Sequence, residues 1–87
     1  MLIRILSLNA WGVPVISRDR AARMRAIGRA LGKIDADVVG LQEVFYAKDR
    51  RLLVEAAGQA GLAYSHYFHS GVMGSGLLTL SRYPIVE

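Results

Sequence analysis

With 87 residues, 53% of them apolar, and no cysteine, the chain is one small domain or a piece of a larger one, without disulfides or Cys-based zinc or redox chemistry. A chain this short buries only about 60–65% of its extended-state surface and is marginal without a staple. Eleven basic against seven acidic residues give a net charge of +4, which suits an anionic partner such as a phosphate ester, a nucleic acid or a membrane surface.

The segment 2–9 is rich in branched residues and reads as a strand. Apolar side chains fall on both of its faces, which predicts burial on both sides. Gly12 and Pro14 break it. The uncharged run from Ile5 to Ile16 is too short to span a bilayer, and the start carries no secretory cleavage pattern. A cytoplasmic or membrane-peripheral location is therefore expected.

Ser17 is placed to cap a helix over 18–31, with Gly32 as its stop. Met24, Ile27, Leu31 and Ile34 form its apolar stripe, while Arg18, Arg25, Arg29 and Lys33 lie opposite. That basic face reads as solvated in preference to nucleic-acid-binding. Arg20 differs, because it sits on the apolar stripe one turn before Met24. Its guanidinium is expected to reach a site rim and hold a carboxylate there by a forked hydrogen bond.

Val38-Val39-Gly40-Leu41-Gln42-Glu43-Val44-Phe45 reads as a buried strand ending in an amide and a carboxylate. A desolvated carboxylate needs a cation, and two are open to Glu43: an arginine or a divalent metal. Strand, helix, strand within about 40 residues makes a βαβ unit with parallel strands. Asn9 and Glu43 then fall at the carboxyl ends of neighbouring strands, where open α/β sheets gather ligands.

A second helix is predicted over 49–60, ended by Gly61, and an aromatic-rich strand over 63–70. Gly71-Val72-Met73-Gly74-Ser75-Gly76 is no dinucleotide fingerprint: its order is wrong and a strand, not a helix, follows it. It reads as a hairpin connection needing positive φ, with a secondary role in shaping a site. His66 and His69, three apart on a strand, point to opposite faces and cannot chelate one metal. Each reads as structural, and Trp11 reads as core or rim packing before a substrate or membrane wedge. After the strand over 77–81, the chain stops without a closing element.

Three blocks mark a family: Leu8-Asn9-Ala10-Trp11-Gly12-Val13-Pro14; Ser17-Arg18-Asp19-Arg20 through Arg23-Met24 and Ile27-Gly28; and Leu41-Gln42-Glu43-Val44-Phe45. Ser65-His66-Tyr67-Phe68-His69-Ser70-Gly71, Gly74-Ser75-Gly76-Leu77 and Ser81-Arg82-Tyr83-Pro84-Ile85 complete the series. It resembles the amino-terminal part of the endonuclease/exonuclease/phosphatase superfamily, on its neutral sphingomyelinase-like branch, over nearly the whole chain.

The resemblance implies the amino-terminal part of a four-layer α/β/β/α sandwich: a βαβ unit, a second helix, then a β-hairpin. It implies hydrolysis of a phosphodiester with Mg²⁺, Glu43 binding the metal, Asn9 as the active-site asparagine and Arg20 supporting them. Hard Mg²⁺ takes carboxylate oxygen and neutralises phosphoryl charge. The implied substrate carries a phospholipid head group, as in sphingomyelin cleaved to ceramide and phosphocholine, in preference to nucleic acid. A nuclease or inositol-phosphate phosphatase of the same superfamily, or a non-catalytic basic βαβ module binding anions, are the alternatives.

The family's general-base histidine, the aspartate that orients it, and a further aspartate and asparagine would all lie downstream of Glu87. His66 and His69 do not match the histidine block, His69 stands where the branch has an arginine, and Ala10 replaces a residue often cysteine. Residues 1–87 are therefore read as a partial domain, truncated at its carboxyl end, inactive alone and prone to self-association through an uncovered sheet face.

Overall fold

In the computed structural model, which describes residues 2–12, 19–68 and 76–86, the elements follow the predicted order. They are β1 (Ile5–Gly12), α1 (Arg20–Leu31), β2 (Val38–Val44), α2 (Ala47–Gln59), β3 (Tyr64–Phe68) and β4 (Leu77–Ser81). One four-stranded sheet holds them in the order β1-β2-β4-β3. β1 and β2 are parallel, as a strand–helix–strand unit demands, and β4 runs antiparallel to both β2 and β3.

Alternation along the strands decides which face is covered. Val39 and Leu41 of β2 sit opposite Leu80 and Leu78 of β4, and all four are buried. Met24 and Leu31 of α1, with Leu53 and Ala57 of α2, close over them. Each such Leu or Met contributes about 1.5–3 kcal/mol by leaving water. The two helices run side by side in the same direction: Arg20 meets Asp49 near their starts, and Gly28 meets Ala56 further along. A Cβ on Gly28 would lie 3.1 Å from that of Ala56, so the glycine sets how closely the helices approach.

The other sheet face is open. It carries Ile5, 74% exposed, together with Tyr64 and Phe68. Burial of β1 on both sides is thus corrected: the helices cover one face only, and even Leu8 remains partly exposed at this sheet edge. The open face is the one a second sheet covers in a four-layer sandwich.

Helix boundaries shift as well. Asp19, at φ 51°, takes the position before α1 with no side-chain capping bond, whereas Ser17 and Arg18 lie outside the described residues. Gly32 ends the helix in a right-handed conformation, and Ile34 is exposed beyond it instead of extending the stripe. α2 starts two residues earlier than predicted, after Tyr46. β3 and β4 form the expected hairpin, whose connection over 71–75 and His69 are outside the described residues. Among those described, no helix is long and apolar enough to cross a membrane.

Candidate functional site at the carboxyl ends of the first two strands

Regular pairing of β1 with β2 runs from Ile5↔Val38 to Asn9↔Gln42 and then breaks. The next pair is Gly12↔Val44, so three steps on β1 answer two on β2. Within that irregularity lie two left-handed residues, one on each strand: Trp11 at φ 50° and Glu43 at φ 60°. A non-glycine residue held there costs on the order of 1–3 kcal/mol, so the surroundings must over-determine it. The left-handed turn upsets alternation, and Val44 follows Val39 and Leu41 into the core.

Glu43 is half-buried, and its Oε2 is buried without a hydrogen-bond partner among the described residues. No arginine answers it there. Such an oxygen carries a desolvation cost that a cation would offset, so the residue fits a hard metal ion. Among the described residues, no group of three or more His, Asp or Glu side chains could hold a metal ion. A metal held at Glu43 would need donors beyond the described residues.

Asn9 lies one position back on the neighbouring strand, at an exposed site. Its Oδ1 accepts a 2.8 Å hydrogen bond from the Trp11 N–H, a local turn of the kind asparagine favours. Trp11, 43% exposed, packs at the rim and not in the core. The Arg23 guanidinium stacks 4.6 Å from the centre of its ring. Beside Asn9, Gln42 donates through Nε2 to Ser7 Oγ (3.1 Å) and to the Gly40 carbonyl. The amide of the Gln-Glu pair thus ties β2 to β1 on the open face, while Oε2 of Glu43 has no hydrogen-bond partner among the described residues.

Arg20 holds a carboxylate, but the carboxylate is Asp49. Nε lies 2.8 Å from Asp49 Oδ2, and the guanidinium stacks 3.9 Å from the Tyr46 ring centre. The approach is close in distance yet misaligned for a hydrogen bond, leaving both atoms without one, so the attraction is chiefly Coulombic. Because Tyr46 and Asp49 flank the start of α2, this contact fixes the β2–α2 connection three residues past Glu43.

Gly76 closes the rim from β4. Its carbonyl accepts from the Val44 N–H at 2.7 Å. At φ 71°, a Cβ there would lie 2.7 Å from the Phe45 ring and 3.1 Å from the Glu43 Cα. Only glycine allows the chain to pass so near. His66, by contrast, packs edge-on against Phe68, 4.5 Å between ring centres.

Arg23 and Asp49 were not singled out from the sequence. Asp49 had a readable signal, a carboxylate in the first turn of a helix, where the positive end of the helix dipole favours it. Arg23 was read only as part of the family-marking block with Met24, and its contacts exist only once the end of β1 lies against α1.

The endonuclease/exonuclease/phosphatase family model matches residues 6–87. A Drosophila melanogaster protein named as a neutral sphingomyelinase is 51% identical over 84 residues, covering 97% of this chain and 19% of that protein. The inositol phosphosphingolipids phospholipase C of Schizosaccharomyces pombe is 41% identical over 85 residues, covering 98% and 20%. The chain thus spans about one fifth of the length of the curated relatives it matches. A β-hairpin deletion mutant of Staphylococcus aureus beta toxin shares the fold, with a TM-score of 0.78 at 17% identity over 98% of this chain and 37% of that one. On the family match, the chain belongs to the endonuclease/exonuclease/phosphatase family and resembles its neutral sphingomyelinase branch.

Proposed function

We propose that the chain forms the amino-terminal part of a Mg²⁺-dependent phosphodiesterase that cleaves sphingomyelin-type lipids between the ceramide and its phosphorylated head group. The observation that carries this reading is the buried Oε2 of Glu43, without a hydrogen-bond partner among the described residues, one register position beyond Asn9 at the strand ends where such a sheet binds ligands. Relatives named for sphingomyelin and inositol phosphosphingolipids favour a lipid phosphodiester over nucleic acid.

Glu43 would hold the metal, with Asn9 next to it. When bound, Mg²⁺ supplies charge neutralisation at the phosphoryl oxygens. Asn9, with one Oδ1 lone pair committed to Trp11, keeps its Nδ2 donors to orient a phosphoryl oxygen. The chain has no positional match for a general base, and general acid–base assistance typically contributes about 10²–10⁴-fold. The 87 residues alone are therefore inactive, and their open sheet face favours self-association.

The test is hydrolysis of sphingomyelin, an inositol phosphosphingolipid and DNA by the full-length protein, with Mg²⁺ and with chelator. Metal-dependent release of a phosphorylated head group is expected from a sphingolipid, and none from the isolated 87 residues. Hydrolysis of DNA alone would transfer the protein to the nuclease side of the family. A second reading keeps the chemistry and changes the head group to inositol phosphate, favoured by the 41% identity to the fission-yeast enzyme.

A further inference from the structure

We propose that Arg23 is a positioning residue that acts on Asn9 through the backbone of Trp11. The inference rests on the assignment of Asn9 to the phosphodiesterase site. Arg23 Nε donates to the Ala10 carbonyl at 3.1 Å, and Nη2 donates to the Trp11 carbonyl at 2.7 Å. In an extended strand, consecutive carbonyls point opposite ways, and one guanidinium cannot reach both. It reaches both here because the chain turns left-handed at Trp11. The same cation lies over the Trp11 ring.

Three contacts from one planar group thus hold a residue in a conformation it would otherwise leave. Ala10, completely buried, anchors one side of the clamp in the core. The held conformation has one output: the Trp11 N–H points back at Asn9 Oδ1. Asn9 itself is exposed, and without that bond its amide is free to rotate. Arg23, fourteen residues away on α1, thereby selects which end of the Asn9 amide is left for a substrate oxygen. Lysine cannot substitute, since an ammonium on a flexible stem has neither the fork nor the planar stacking surface.

The experiment compares Arg23→Gln, Arg23→Lys, Asn9→Ala and the Arg23→Gln/Asn9→Ala double variant of the full-length protein. It reads sphingomyelin turnover, and it reads amide hydrogen exchange at Trp11 and, as an internal reference, at Leu41. Arg23→Gln should speed Trp11 exchange at least about ten-fold, leave Leu41 unchanged, and lower kcat by about ten- to a hundred-fold with KM little altered. Arg23→Lys should behave like Arg23→Gln. The double variant should be no slower than Asn9→Ala, because the two residues share one function. Losses that multiply, an unchanged Trp11 exchange rate, or full activity in Arg23→Lys would each overturn the proposal. Faster Trp11 exchange in a protein that cleaves no phosphodiester would uphold the clamp and remove the function assigned to Asn9.

Discussion

The two ends of the sheet carry the same residue types and treat them oppositely. At the end where β1 and β2 begin, Asp37 has both oxygens engaged: Oδ2 accepts from the Arg4 N–H at 2.9 Å and Oδ1 from Arg82 Nε at 3.0 Å. Arg82 also bridges to Asp35 and donates to the Ala36 carbonyl, and Arg4 pairs with Asp35. At the end where the same strands finish, register fails, two residues turn left-handed, and Glu43 keeps a buried oxygen with no hydrogen-bond partner among the described residues. A saturated cluster pins β1, β2 and the exit of β4 together, so its value is structural. An unsaturated carboxylate at a strained strand end is stable only if something outside the described side chains completes it.

The sharpest break in that contrast comes from removing one charge at each end of the full-length protein. Glu43→Gln should lower turnover by more than about 10²-fold, since even groups that only support metal ligands cost 10–100-fold. Stability should move by less than about 0.5 kcal/mol, because Oε2 has no hydrogen bond to lose among the described residues. Asp37→Asn should do the reverse, lowering the melting temperature while turnover per folded molecule stays the same. Activity and melting measured on both variants decide the matter. A Glu43→Gln protein that is destabilised by several kcal/mol with its metal requirement intact would make both ends structural.

Most of the architecture was legible because it rests on local periodicity. The branched run of β2 and the helical stripe from Met24 to Leu31 each favour one conformation, and the parallel βαβ unit follows from their order. Covered and open faces were not legible, because apolar residues on both sides of β1 record a second layer as much as the helices. At the site, Asn9 and Glu43 could be placed from strand ends alone. The left-handed turns at Trp11 and Glu43 could not, since neither residue type prefers that region. Arg20 finds a carboxylate as expected but without the forked hydrogen bond, and a partner 29 positions away on a helix start is a tertiary fact.

That pair supports the unsaturated end from behind, and disturbing it should cost stability first. Asp49 is 4% exposed and Arg20 26%. Arg20→Met leaves a buried carboxylate alone, at a cost of about 3 kcal/mol, the low end for a broken buried pair because Arg20 is partly solvated. Arg20→Met/Asp49→Leu should recover most of that loss. Denaturant unfolding of the single and double variants checks this, and equal stability of the two would show that the charges are not coupled. Gly76→Ala is the next smaller perturbation. Its methyl would press on Phe45 and the Glu43 backbone at a positive φ, costing about 2 kcal/mol. Turnover should fall further than stability accounts for, because Glu43 is displaced. If Gly76→Ala melts and turns over like the parent, the close approach at this rim has no consequence.

The smallest effect belongs to the saturated end and is read by pH. The Arg4 backbone N–H holds the Asp37 carboxyl below its ordinary value; burial opposes this, and the Arg82 hydrogen bond and the charges of Arg82 and Arg4 add to it. A carboxyl with a lower pKa folded than unfolded binds more protons in the unfolded chain, so stability rises with pH across that window. The contribution is fully present above the ordinary carboxylate range and is lost as pH falls through the depressed folded value. Melting curves of the parent protein should therefore steepen their decline below about pH 4, while those of Asp37→Asn should be flatter there and already lower at neutral pH. Arg82→Lys, which keeps the charge and loses the fork that reaches Asp37, Asp35 and the Ala36 carbonyl at once, should fall between them. Parallel acid declines in parent and Asp37→Asn would assign the acid sensitivity to other carboxylates.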